Sequence, residues 1–452
     1  MVSLSIISGP AFLLVAPSIA LSAQPNPPPT LSATEPVWAR KYDTVESDAP
    51  ILERLNYIQV DGGSLSLSGE VRLRYETFDE ETINSISAPA KDDYMLYRAL
   101  LGVVWQSEGK VRLFGQIGLH GVAGKSGPVL SIDKSGADVQ QAFAEFSKND
   151  LMVRVGRQEL PLGAQRLVSV REVPNVRLSF DAVRVDYKNI TAFISRPVRL
   201  GTGSWDDASN LDQSFSGLYA RTKNLPFKGL KADIYVFRLT RRTATYAVGI
   251  DKEERYTLGM RIFDKSPAFD YDIETGIQRG TYGARDIKAA YLAADFGYTF
   301  DRPIQPRAGI IFDVTTGDRD LSDRELNTFN PLYPRISFFT EISRVGAANM
   351  VRLAPSLAVK PLASLKVQFG ADVIWRYRVE DAVYRQPAIP VPNTAGHHGK
   401  YIGTQLWITP SWQLNRHFGI SGILAHGSVG KALKGVGSGD SNYGAFALTY
   451  RF

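Results

Sequence analysis

The residues of this chain able to do chemistry are mostly basic, and they recur at alternate positions. Between Leu65 and Thr77, one parity holds Leu65, Leu67, Val71, Leu73 and Tyr75; the other holds Glu70, Arg72, Arg74 and Glu76. Charged residues opposed by apolar neighbours recur at Arg98, Lys110, Arg112, Arg154, Arg184, Arg255, Arg261, Arg307, Arg352, Lys366 and Arg376. The acids on the same phase are fewer: Glu145, Asp186, Asp270, Asp272, Glu274 and Asp372 join Glu70 and Glu76. Arginine offers a planar fork of donors that matches a carboxylate with two hydrogen bonds. Gathered around one space, such a set draws in anions, and carboxylated solutes best of all. The competing outcome is structural, since opposite charges on neighbouring strands can pair with each other.

Covalent chemistry finds no support. There is no Cys, so thiolate metal sites and disulfides are absent. The five His do not cluster, and no GxSxG, HExxH or Gly-rich phosphate loop occurs. The segment 316–346 carries Asp318, Asp320, Asp323 and Glu325, which could attract a divalent cation, but it has no defined ligand spacing and no metal or cofactor is assigned. The net charge is +6, yet the Arg are spread around the chain and are not striped beside stacking aromatics, so nucleic acid is not expected.

Alternation of this kind requires β-strands, in which successive side chains point to opposite faces. With 20 Tyr, 22 Phe and 39 Gly, the composition also points to an all-β chain. Nowhere do 18 apolar residues run together, so no membrane helix is expected. A transmembrane antiparallel β-barrel remains open, because closure satisfies every backbone group. It would present the apolar phase to lipid and the charged phase to the lumen. The pattern gives about eighteen strands, an even number. Short links are expected near Ser107-Glu108, Lys148-Asn149, Lys188-Asn189, Lys265-Ser266, Asp301–Pro303, Pro361-Leu362 and Asn415-Arg416. Long links are expected near 78–92, 121–137, 159–178, 200–213, 239–253, 316–346, 379–399 and 428–441. That division matches short periplasmic turns and long extracellular loops.

Residues 1–23 read as a signal peptide around the apolar run Ala11 to Ala23, although no Lys or Arg precedes it. Residues 24–62 form a Pro-rich periplasmic leader, and 63–452 the barrel. The chain ends Tyr450-Arg451-Phe452, resembling the C-terminal signal of bacterial outer-membrane proteins.

A more specific resemblance lies in Val155 to Val185. Gly156-Arg157-Gln158, Gly163, Arg166-Leu167, Asn175, Arg177 and Ser179-Phe180-Asp181 resemble the signature of the alginate export family. So do, in order, GEVRLRYE (69–76), QAFAEF (141–146), GDRD (317–320), TFNPLYP (328–334) and YIGTQLWI (401–408). The resemblance implies an eighteen-stranded outer-membrane barrel whose loops plug an electropositive lumen and which passes an anionic polysaccharide. One departure is the turn at Asn415 to His417, where the alginate exporter carries a long periplasmic gate. A passive porin for small carboxylated or aromatic solutes is therefore the alternative. Arg157 is out of phase with Arg154; it is expected to reach the lumen or the loop base, with Asp181 nearby. The expected surroundings are outer-membrane lipid and lipopolysaccharide, an anionic saccharide or small anionic solute as cargo, and a monomeric state.

Overall fold

The computed structural model describes residues 55, 57–79, 91–222, 231–335, 345–397 and 399–452. The signal-peptide segment and most of the leader lie outside these residues. Eighteen strands form the wall: β1 (Gly63–Asp79), β2 (Lys91–Ser107), β3 (Val111–Ala123), β4 (Gly136–Lys148), β5 (Leu151–Gln158), β6 (Phe180–Tyr187), β7 (Ile190–Arg199), β8 (Gln213–Thr222) and β9 (Lys231–Tyr246). The circuit continues through β10 (Gly249–Lys265), β11 (Phe269–Tyr282), β12 (Arg285–Thr299), β13 (Arg307–Thr315), β14 (Met350–Leu362), β15 (Leu365–Arg376), β16 (Tyr401–Gln413), β17 (Phe418–Val429) and β18 (Ser441–Arg451). Each strand pairs antiparallel with the next. The ring closes where β1 meets β18, from Glu70 opposite Arg451 to Asp79 opposite Asn442. Closure leaves no open edge, which is what a strand-built wall needs in lipid. The short strand Ile58–Val60 folds back on the start of β1, with Val60 opposite Gly63.

The alternation seen in the sequence is the alternation of the wall. Leu73, Ile117, Val155, Ile194, Leu258 and Leu406 point outward and stay exposed, Ile194 at 67 %. Such a belt of apolar side chains around a whole molecule is a surface for lipid. On the other phase Glu70, Arg72, Arg98, Glu145, Arg154, Arg184 and Arg255 are buried in the interior.

The links divide as expected, with two corrections. One end is joined by short links, including Asn149-Asp150, Lys188-Asn189 and 414–417. The other end carries 124–135, 159–179, 200–212, 316–335, 377–397 and 430–440, while the link expected near 78–92 falls, between Asp79 and Lys91, outside the described residues. The long link expected at 239–253 is not one: β9 runs to Tyr246 and β10 starts at Gly249, leaving only Ala247 and Val248. Likewise Gly283 and Ala284 alone join β11 to β12. In that region the outward positions carry Arg238, Lys252, Glu254 and Arg279, so the strands continue past the apolar belt with charged outer faces.

Candidate functional site: a lumen narrowed by two inward loops

The loop segments 159–179 and 316–335 turn into the barrel and join each other there. Val168 pairs with Tyr333 as a parallel bridge. The Tyr333 amide donates to the Leu167 carbonyl at 2.8 Å, and the Ser169 amide to the Tyr333 carbonyl at 3.0 Å. Their apolar side chains, Leu160, Leu162, Leu167, Val168, Phe329 and Leu332, lie on an aromatic floor made by Phe180, Phe193, Phe215, Tyr235, Phe237 and Tyr291. These aromatics occupy inward phases, where a water-filled lumen would place polar groups. Burying each such side chain stabilises the assembly by roughly 1.5–3 kcal/mol.

Ion pairs fasten the loops around this core. Arg166, 2 % exposed, donates to Asp272 at 2.7 Å and Glu274 at 3.0 Å on β11. The Asn175 side-chain amide donates to the carbonyls of Tyr97 and Asp133, each at 2.9 Å. Arg255 on β10 donates to Glu253 and Gln278 and reaches the Thr328 carbonyl at 3.3 Å. Gln278 in turn brackets Asn330, accepting from its amide at 2.9 Å and donating to its carbonyl at 2.8 Å. At the mouth, Arg376 donates to the carbonyls of Val379, Asp381 and Thr394 and holds the link 377–400.

The tip of loop 159–179 reaches across to β1 and β2. Arg72 donates to the carbonyls of Glu172 at 2.9 Å and Pro174 at 3.0 Å. Arg98 lies between Glu70 and Glu172. Beyond the tip a cavity of about 190 Å³ remains, lined by Arg74 and Val173 on one side and by Thr409, Ser421, Gly422, Ile423, Ala445 and Ala447 of β16–β18 on the other. The small residues of that wall leave the space, and Arg74 is its cation. The Arg74 guanidinium contacts Glu76 at 2.6 Å and donates to the Tyr443 hydroxyl at 2.7 Å.

The residues selected from the sequence fall mostly on the interior, and most are paired. Arg112 and Arg154 share Glu145, at 2.6 and 2.5 Å. Arg184 meets Asp186, Arg261 meets Asp272, and Arg307 meets Asp270. Arg352 bridges Asp313 and Asp372. Lys366 makes no ion pair among the described residues and shares its surroundings with Arg307 and Lys360. The set of inward acids read from the sequence is incomplete. That census missed Asp233, Glu253, Asp295 and Asp313, each inward and each within reach of an arginine: Arg261, Arg255, Arg307 and Arg352 respectively.

Arg157 is a second correction. It keeps the phase of the exposed Val155, so it stands on the outer side of the wall and not in the lumen. There Asp181 accepts from its Nε at 2.9 Å, and the link 200–212 covers it through the Asp207 carbonyl and the contact of Ser209 with Asp181. The pair therefore pins 200–212 to the rim. Among the described residues the acids of 316–346 do not converge; Asp138, Asp206 and Asp207 do, with oxygens within 4.8 Å, beside that same link. Sequence reasoning also passed over Glu172 as a contact point and left Arg166 and Arg177 as motif letters without partners.

With this geometry in place, the likeness to known proteins is informative. The family described as "Alginate export" matches residues 64–446, nearly all of the barrel. The chain belongs to the alginate export family. No curated protein matches it in sequence. Among solved structures, Acinetobacter baumannii OccAB4 is similar with a TM-score of 0.58 at 10 % identity, over 85 % of this chain and 98 % of that one. Pseudomonas aeruginosa OccK11 (OpdR) gives 0.54 at 14 % identity, over 88 % and 99 %. Pseudomonas aeruginosa OccK2 (OpdF), solved in complex with glucuronate, gives 0.56 at 10 % identity, over 86 % and 96 %. At such identities the likeness establishes the fold alone, a closed eighteen-stranded antiparallel barrel. This member of the alginate export family is accordingly an outer-membrane channel.

Proposed function

We propose that this channel passes small carboxylated solutes on the scale of a single uronate and holds back polysaccharide. The observation that carries this is the cavity between Val173 and the β16–β18 wall. It measures about 190 Å³ and is bounded on one side by the loop 159–179, which Arg166 ties to the barrel through buried ion pairs. A polymer would need that lock released along its whole path, whereas a single sugar acid fits beside it. Arg74 supplies a cation for the carboxylate, and Thr409 and Ser421 line the same space with groups able to bond sugar hydroxyls. The brevity of the periplasmic link 414–417 supports the same choice, because it leaves no segment there to gate a polymer.

The family description favours the second candidate, export of an alginate-like anionic polysaccharide. The two part on size. Reconstituted in liposomes, the barrel should admit glucuronate and exclude an oligouronate. The channel is proposed to work as a single chain among the lipid and lipopolysaccharide of the outer membrane, without cofactor or catalysis.

A further inference from the structure

Glu172 is the one acid at the loop tip, and three arginines converge on it. Arg98 donates to Glu172 Oε1, Arg177 Nε lies 3.2 Å from Oε2, and Arg72 Nη1 lies 3.7 Å from Oε1. The arginine side chains are 0, 17 and 6 % exposed, whereas that of Glu172 is 44 % exposed to the lumen. The other acids of the cluster are fixed differently. Glu70 belongs to the wall and is shared by Arg98 and Arg451; Glu159 is buried at the loop base against Arg177. His120 also faces the cluster, with neither ring nitrogen bonded. Glu172 is thus the member that can leave without dismantling the barrel.

We propose that Glu172 occupies the binding place of a solute carboxylate, and that an incoming sugar acid displaces it and frees the loop tip. This rests on the reading of the channel as one for small carboxylated solutes. The exchange is isoelectric: one carboxylate leaves the arginines as another arrives, so no buried charge is left uncompensated. Arginine forks suit either carboxylate equally. The next residue, Val173, is the loop's contribution to the 190 Å³ cavity, so movement of Glu172 widens the passage. The solute acid would act as both cargo and key.

Hydrogen exchange of peptides covering 159–179 in the reconstituted barrel tests this. In the native chain, glucuronate should speed exchange at the loop tip and glucose should not. Glu172→Gln should speed it at least about tenfold without any solute, the loss expected for one charged hydrogen bond. Exchange in β1 and β2 should stay unchanged, which shows the variant still folded. A loop tip in Glu172→Gln as protected as in the native chain overturns the latch. A native loop indifferent to glucuronate, while glucuronate crosses the membrane, overturns displacement but leaves the transport reading standing. If glucuronate does not cross at all, the transport reading fails, and Glu172→Gln still decides the latch.

Discussion

Replacing Arg166 with Met should release loop 159–179 from β11 by an amount that the structure lets one work out. The guanidinium is 2 % exposed and serves two carboxylates, Asp272 at 2.7 Å and Glu274 at 3.0 Å. Breaking a buried ion pair from one side costs about 3–5 kcal/mol, mostly from the charge left behind. Here the remaining acids keep other partners. Asp272 still accepts from Arg261 at 2.7 and 2.8 Å, and Glu274 still accepts from the Tyr235 hydroxyl at 2.8 Å. The cost therefore belongs at the lower end, about 3 kcal/mol, which is roughly two powers of ten in the loop's opening equilibrium. Amide exchange reads this directly, because the Ser169 and Val176 amides donate to carbonyls outside the loop, those of Tyr333 and Ile132, and lose these partners when it undocks. Their protection should fall by about a hundredfold in Arg166→Met. Adding Glu274→Gln, which removes the stranded charge, should restore part of it. A change below about threefold in Arg166→Met would show that the aromatic floor alone holds the loop.

Two further outcomes follow from the same contacts. Asp318 is buried in the link 316–349, one oxygen unbonded, near Asp381, and burial first and then the neighbouring acids push its carboxyl up to about 7. Burial also raises Asp381, which accepts from the Asp318 amide and the Thr328 hydroxyl. A folded-state value above the unfolded one means this packing is firmest below the ordinary carboxylate range and weakens as pH rises towards about 7. Proteolysis of 316–335 should thus quicken across that window, and Asp318→Asn should flatten the dependence; unchanged cleavage rates from pH 4 to pH 7 would refute it. At the constriction, Arg74→Gln should shift the zero-current potential in a glucuronate gradient towards lower anion preference, and an unshifted potential would remove Arg74 from the solute's path.

The wall was legible because lipid imposes one rule on every outward position. Leu73, Ile117 and Leu258 look alike in the sequence for that reason, and their alternation with Arg72, Gln116 and Thr257 gives the strands without further information. The rule lapses beyond the lipid. β9 and β10 continue there with Arg238, Lys252 and Glu254 outside, which resemble a polar loop until Tyr246 and Gly249 are seen to meet in a tight hairpin. The interior is set by partners distant in sequence, and periodicity does not name them. The family motif marked Arg166, Asn175 and Arg177, but Asp272 lies 106 residues from Arg166. One signal was available and unused: Phe193, Phe215, Tyr235 and Phe237 sit on the lumen phase of successive strands, where lipid cannot explain them. Aromatics on the wrong phase foretell something apolar inside the barrel, here the two loops. Three of the missed acids had a local signal too: Asp233 lies across a strand pair from Arg261, Asp313 across from Arg352, and Glu253 two residues from Arg255.

The claim at the centre of this account is a passage sized for one sugar acid. It is tested most directly by the flux of glucuronate and of a uronate tetramer into liposomes carrying the native barrel. The locked loops and the 190 Å³ cavity predict that glucuronate enters and the tetramer does not. Entry of the tetramer at a rate comparable to glucuronate would contradict the account and restore polysaccharide as the cargo.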